Sequence, residues 1–223
     1  GPVHEVTLDA FSIARFPVTV GEYQRFMEDD GYAKEKYWKA GGGFGRFQEP
    51  GNWSDQIEYR NRPVVGVSWT DASAFCKWEG KRLPTEAEWE RAAKGPQGDN
   101  HYPWGHTLDQ KKANYGQNVG RTTPVDSYPE GVSGYGLYNM AGNVFEWVED
   151  WYDLKYYKES PALNPRGAEK GYNFANQGPV RVLRGGSWLS SDRFARCAFR
   201  SYGSPDLRIN YIGFRVVVSR AFR

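Results

Sequence analysis

"PVVGVSWTDASAFCKWEGKRLPTEAEWERAAKG" occupies residues 63–95. Its first seven residues are short and apolar, and predict a strand. Thr70 then caps a helix that runs to a stop near Gly80. Thr85 and Glu88 form the Thr-x-x-Glu capping box of a second helix, and Gly95 stands just past its end. Outward from this stretch, residues 3–8 alternate and predict a strand, with a turn at Pro17. Thr19 and Glu22 make another capping box, after which Tyr23, Phe26 and Met27 share one helical face. Residues 30–62 are loop-like, yet they carry Tyr37, Trp38, Phe44, Phe47 and Trp53, so they are expected to pack down.

Towards the C-terminus, residues 99–138 are mostly turns. Residues 143–152, "NVFEWVEDWY", are short, aromatic and acidic. "VRVLRGGSW" predicts a strand running into a glycine turn, and "YIGFRVVVSR" the last strand. No repeat, linker or composition break divides the chain, so a single domain over 1–223 is expected. Helices in the front half and short strands with long loops behind predict an α+β fold rich in irregular structure.

The bulk numbers narrow the function. The chain has 223 residues and a net charge of +2, which gives no electrostatic case for nucleic acid. No apolar run approaches the roughly 20 residues of a membrane span. The opening residues lack the pattern of a signal peptide. The localisation read from this is unassigned but soluble. With 9 Trp, 15 Tyr, 12 Phe and 26 Gly, large side chains must be held by many tight turns. The two cysteines, Cys76 and Cys197, sit in apolar contexts and read as buried thiols.

Several stretches together resemble the formylglycine-generating enzyme (sulfatase-modifying factor) family: residues 63–95, "YPWG", "GLYNMAGNVFEWVEDWY", "RVLRGGSW" and "NYIGFRVV". They occur in the family's order. The resemblance implies a C-type-lectin-like fold with two main helices, small antiparallel sheets and much loop. Active members hold copper with two cysteines near the Gly-Gly-Ser segment, because Cu(I) prefers soft thiolates. By that resemblance the first copper position is Ser190, and the second falls among Ser191 to Ala195, so no copper site and no oxidase activity are expected. The family's disulfides would fall at Cys76 with Val216 and at Ala93 with Cys197, each with one cysteine only. Iron-dependent relatives use a histidine set in another domain. His101 and His106 are five apart in a turn, the wrong spacing for one helical face, and read as surface histidines.

"NMAGNVFEW" offers oxygens suited to a hard cation. By resemblance Asn139, the Gly142 and Val144 carbonyls and Glu146 match a structural calcium site. The other reading is a turn in which Asn139 and Glu146 satisfy backbone donors. A second calcium site would use Asn114.

The closing segment, 185–217, sets fixed anchors around unpatterned filling. Gly185 and Gly186 turn the chain, Trp188 and Phe214 are expected in the core, and Arg196, Arg200 and Arg215 brace loops. The filling is Leu189, Ser190, Ser191, Phe194, Ser201, Tyr202, Gly203, Ser204, Leu207, Ile209, Asn210 and Tyr211. None is Lys, Glu, Gln, Met or Trp, and all can be written by codons ending in C. Randomising the adenines of AAC asparagine codons yields that set. In this the segment resembles the variable proteins of diversity-generating retroelements, which share the lectin-like domain. The resemblance implies a non-catalytic protein whose twelve positions form a surface for a protein ligand. Tyr202, Tyr211 and Phe194 would anchor it, since aromatics dominate hot spots. The alternative is an undiversified family member, acting as an oxidase or a regulatory binding module.

Overall fold

The structure, a computed structural model, describes residues 2–173 and 178–219. Capping boxes start its three longest helices. For α1 (Val20–Glu28), Thr19 Oγ accepts the Glu22 amide at 3.2 Å, and the Glu22 carboxylate accepts the Thr19 amide at 2.8 Å. Thr85 and Glu88 do the same for α4 (Glu86–Lys94), and Gly95 takes the positive φ of +76° that ends it. The short α2 spans Trp53–Gln56.

Helix α3 (Trp69–Trp78) starts earlier than expected. Its cap is Ser68, whose Oγ accepts the Asp71 amide at 3.0 Å, while Asp71 accepts the Ser68 amide at 2.8 Å. Thr70 instead lies in the first turn, its hydroxyl bonded to Ser68 Oγ at 2.9 Å. These are the three long helices that the capping signals predict, where the family resemblance implied two main ones. The strand expected over 63–69 does not form. Gly66 takes a φ of +68°, and a Cβ there would meet the Gly51 carbonyl oxygen at 2.4 Å. The segment is tied by Gly66 N–H to the Ile209 carbonyl at 3.0 Å and by Gly51 N–H to the Gly66 carbonyl at 2.7 Å.

The main sheet has four strands: β2 (Phe145–Trp151), β3 (Arg181–Arg184), β4 (Arg200–Gly203) and β5 (Ile212–Phe214), in the order β4-β3-β2-β5. β2 is antiparallel to β3 and parallel to β5, so the sheet is mixed and not purely antiparallel as expected. A second sheet pairs β1 (Phe11–Ile13) with β6 (Val217–Ser219). The alternation expected at 3–8 gives only an isolated bridge, Thr7 to Leu163.

Strand β2 is covered on both faces. Phe145 and Trp147 join Leu183, Ile212 and Phe214 against Tyr23, Phe26 and Phe75 of the helices. On the other face, Val148 and Val182 pack against Trp89, Ala92 and Ala93 of α4. A strand buried on both sides cannot alternate apolar with polar, so its acid at 146 needs an internal partner. Arg215 supplies it. The expected last strand breaks there into β5 and β6, because the Arg215 side chain turns fully inward. The 30–62 loop packs down through buried Trp38 and Trp53, with Tyr37 and Phe47 against the same core.

Candidate recognition surface

The glycine turn positions everything that follows it. Gly185 and Gly186 take φ of +91° and +73°, and a Cβ on Gly186 would lie 2.9 Å from the Phe194 carbonyl oxygen. The Ser187 amide donates to Ser190 Oγ at 3.0 Å, and the two hydroxyls are 2.9 Å apart. Ser190 therefore holds the turn. The chain is then moored to a neighbouring loop: the Gly116 and Gln117 amides donate to the carbonyls of Ser190 at 2.7 Å and Trp188 at 2.8 Å. Trp188 is half-buried, not core as expected, whereas Phe214 is fully buried.

Arginines brace the frame. Arg200 grips both Glu86 oxygens at 2.7 and 2.8 Å. Arg196 bonds only its own turn, through the Arg193 carbonyl at 3.1 Å. Arg208, which was not among the arginines expected to brace loops, donates to the Gly66 carbonyl at 3.0 Å and lies 4.0 Å over the Phe47 ring. Its guanidinium is 3.7 Å from the buried Asp71 carboxylate. Burial raises that carboxyl above its ordinary range, while the Ser68 hydrogen bonds and Arg208 pull it down.

The twelve positions divide against this frame. Leu189, Ser191, Tyr202, Ser204 and Asn210 are exposed. Phe194, Ser201, Leu207, Ile209 and Tyr211 are half-buried, and four of these (Phe194, Leu207, Ile209, Tyr211) rest on the core beneath β2. The Phe194 ring meets Phe199 at 4.5 Å and Phe145 edge-on at 6.3 Å.

Besides Ser190, which holds the turn, two positions depart from the expected patch. Gly203 is buried: a Cβ there would lie 2.8 Å from Leu207 and 2.9 Å from Trp147, so it belongs to the frame. Tyr202 points to the other face of β4, since successive strand side chains alternate. Its ring packs on Tyr152 at 4.9 Å, on the α4 side of the sheet. It cannot act in one patch with Leu207 and Phe194.

In the "NMAGNVFEW" loop, three of the four positions expected to hold calcium already have protein partners for their oxygens. Arg215 binds both Glu146 oxygens at 2.7 Å, and the Trp89 indole donates to one of them at 2.7 Å. A carboxylate chelated by a guanidinium in the core does not suit a calcium ligand, because the arginine already supplies the cation. Asn139 Oδ1 accepts from Asn143 at 2.9 Å, and the Gly142 carbonyl accepts the Val144 amide at 2.9 Å. Among the described residues no group of three or more His, Cys, Asp or Glu is placed to hold a metal ion. Asn114 is different: its Oδ1 is buried with no hydrogen-bond partner among the described residues, a neutral oxygen of the kind calcium takes.

Both thiols are buried and unpaired, in separate clusters. Burial pushes Cys197 up to about 12 and Cys76 higher still. Cys76 shares its cluster with Val216, and Cys197 with Ala93, the two pairings the family resemblance implied. A cavity of 1260 Å³ opens elsewhere, between residues 2–15 and α4. Glu86, one of the acids in its lining, is already paired with Arg184 and Arg200.

The mixed sheet, the flanking helices and the long moored loops define a C-type-lectin-like α+β domain. The chain belongs to the family described as "Sulfatase-modifying factor enzyme 1-like domain", which matches residues 1–220. It is 41% identical to the serine/threonine-protein kinase pkn1 of Chlamydia caviae over 222 residues, 96% of this chain but 34% of that protein. The chain thus spans about a third of the first curated relatives it matches. It is 35% identical to the formylglycine-generating enzyme of Streptomyces coelicolor, over 96% of this chain and 80% of the enzyme. Among solved structures it is similar to Treponema denticola variable protein 1, with 28% identity, a TM-score of 0.70, and 95% and 85% of the two chains covered. PvdO from Pseudomonas aeruginosa gives 28% and 0.73 over 97% and 84%. No helix among the described residues is long and apolar enough to cross a membrane.

Proposed function

We propose that this chain is a non-catalytic ligand-binding domain. Its recognition surface is Leu189, Ser191, Phe194, Ser201, Ser204, Leu207, Ile209, Asn210 and Tyr211, and its partner is a protein. One observation carries the reading. These side chains are exposed or half-buried, while the backbone that presents them is fixed by its own hydrogen bonds to Gly66, Gly116, Gln117 and Phe145. A rigid frame with replaceable side chains loses little entropy on binding. Likeness to a variable protein supports diversification of these positions by a retroelement. Copper oxidation by the family's route needs two neighbouring thiolates. This chain has two cysteines, buried in separate clusters, and by the family resemblance Ser190 falls at the first copper position. The reading includes a structural calcium ion, held through Asn114 and not through Glu146.

The DNA test is direct. A near-repeat of the segment encoding 185–217, with AAC at the recognition codons and a reverse-transcriptase gene nearby, is the expected result. Its absence would overturn diversification. Replaceability of the surface is tested on Leu189→Ala, Ser191→Ala and Asn210→Ala. Unchanged melting temperatures support a replaceable surface; a drop of several degrees in each would sink it. Copper-dependent oxygen consumption with a cysteine peptide would return the chain to the oxidases.

A further inference from the structure

His101 and His106 flank a tight turn. The Tyr102 amide donates to the Gly105 carbonyl at 2.8 Å, and the Gly105 amide returns to the Tyr102 carbonyl at 3.0 Å. This makes a miniature antiparallel hairpin, so the residues just outside it face one another. Their rings stand 5.2 Å apart between centroids, at 86° to each other. Both residues are exposed.

The backbone beneath them is fixed. The Tyr102 ring stacks on Trp104 at 5.7 Å, and the Trp104 indole donates to the Thr107 carbonyl at 2.9 Å. Tyr102 and Trp104 pack against Ala113, Tyr115 and Ala195. The His101 carbonyl accepts the Cys197 amide at 2.8 Å. Only the imidazole rotors are left to move.

The spacing has a chemical meaning. With a Zn–N bond of about 2.0 Å, a ring nitrogen about 1.1 Å from the ring centre and a tetrahedral angle of about 109°, two imidazoles on one ion stand about 5.1 Å apart. The observed 5.2 Å, an edge-to-face ring contact, leaves room for that arrangement. Perpendicular rings keep the two from clashing. Because the side chains are at the surface, each ring can turn about χ2 to aim a nitrogen at the shared point.

We infer that His101 and His106 form a bis-imidazole site for a divalent transition metal, zinc or copper(II), the ions that imidazole suits. The chain supplies two ligands, and the remaining positions are open to water or to a side chain of another molecule. The site stands at the edge of the 188–196 loop, through Ala195 and Cys197. It does not depend on what that loop binds.

The test is isothermal titration of tag-free protein with zinc chloride, and separately with copper(II) sulfate, in a non-chelating buffer. One ion per chain is expected. Tethering the second imidazole contributes on the order of a hundredfold to affinity, so His101→Gln and His106→Gln should each weaken binding by about that factor. His4→Gln, at the remaining histidine of the three, should change nothing. Binding should also weaken on acidification, as protons compete for the nitrogens. Thermal melts of both variants should superimpose on wild type, since the rings are exposed. Equal affinity in wild type and either variant would overturn the site, as would loss in one variant only, which marks a lone-histidine contact.

Discussion

Gly203→Ala distinguishes frame from recognition surface within a single strand. The new Cβ would sit 2.8 Å from Leu207 Cδ2, 2.9 Å from the Trp147 ring and 3.4 Å from Leu183. Carbon pairs are at rest near 3.5–4.0 Å. Leu207 is half-buried and can swing away. Trp147 cannot: it is fully buried, and its indole donates to the Val67 carbonyl at 3.0 Å. Overpacking of this kind costs about 1–3 kcal/mol. For a chain of this size each kcal/mol lowers Tm by about 2–4 °C, so a fall of about 2–12 °C is expected. Differential scanning calorimetry and urea unfolding read it, the latter with an unchanged m-value if only the native state is strained. Leu207→Ala in the same chain should return part of the loss and leave the Trp147 share. A Gly203→Ala melt that matches wild type would refute the buried placement and return this position to the replaceable set.

Two further expectations concern the buried groups. Arg215→Met leaves the Glu146 carboxylate uncompensated in the core, and breaking such a pair costs about 3–5 kcal/mol; urea unfolding should show it, and a loss below 1 kcal/mol would mean that Glu146 has another cation. Calcium added to chelator-treated protein should raise Tm for wild type and not for Asn114→Ala, while an equal rise in both would place the ion elsewhere.

The signals that survived from sequence to structure are local ones. The capping boxes at Thr19 and Thr85 involve residues three apart, so the chain can be read there without its fold. α3 slipped by two residues because Ser68 and Thr70 are both competent caps. The choice between them fell to Asp71, whose carboxylate reaches back to the Ser68 amide. The 63–69 run was apolar enough for a strand, yet Gly66 is wedged against Gly51, which no local pattern records. Likewise the role of Glu146 was set by Arg215, 69 residues away. A carboxylate in a glycine loop reads as a cation ligand until its ion-pair partner is in view.

The proposed recognition surface can be written from the sequence as a list but not as a shape. Codon logic treats Ser201, Tyr202 and Gly203 alike, because it sees no direction. The pleat of β4 separates them. Gly203 sits under Leu207 in the core, and Tyr202 turns to Tyr152 on the α4 side. Diversification that obeyed codons alone would therefore damage the fold wherever position 203 received a side chain. A template that preserves the fold must hold glycine there, outside the randomised adenines. Sequenced siblings of this chain should then vary at 189, 191 and 210 while keeping Gly203. Serine or asparagine at 203 in folded siblings would show that the core beneath β4 yields more than the Trp147 hydrogen bond allows.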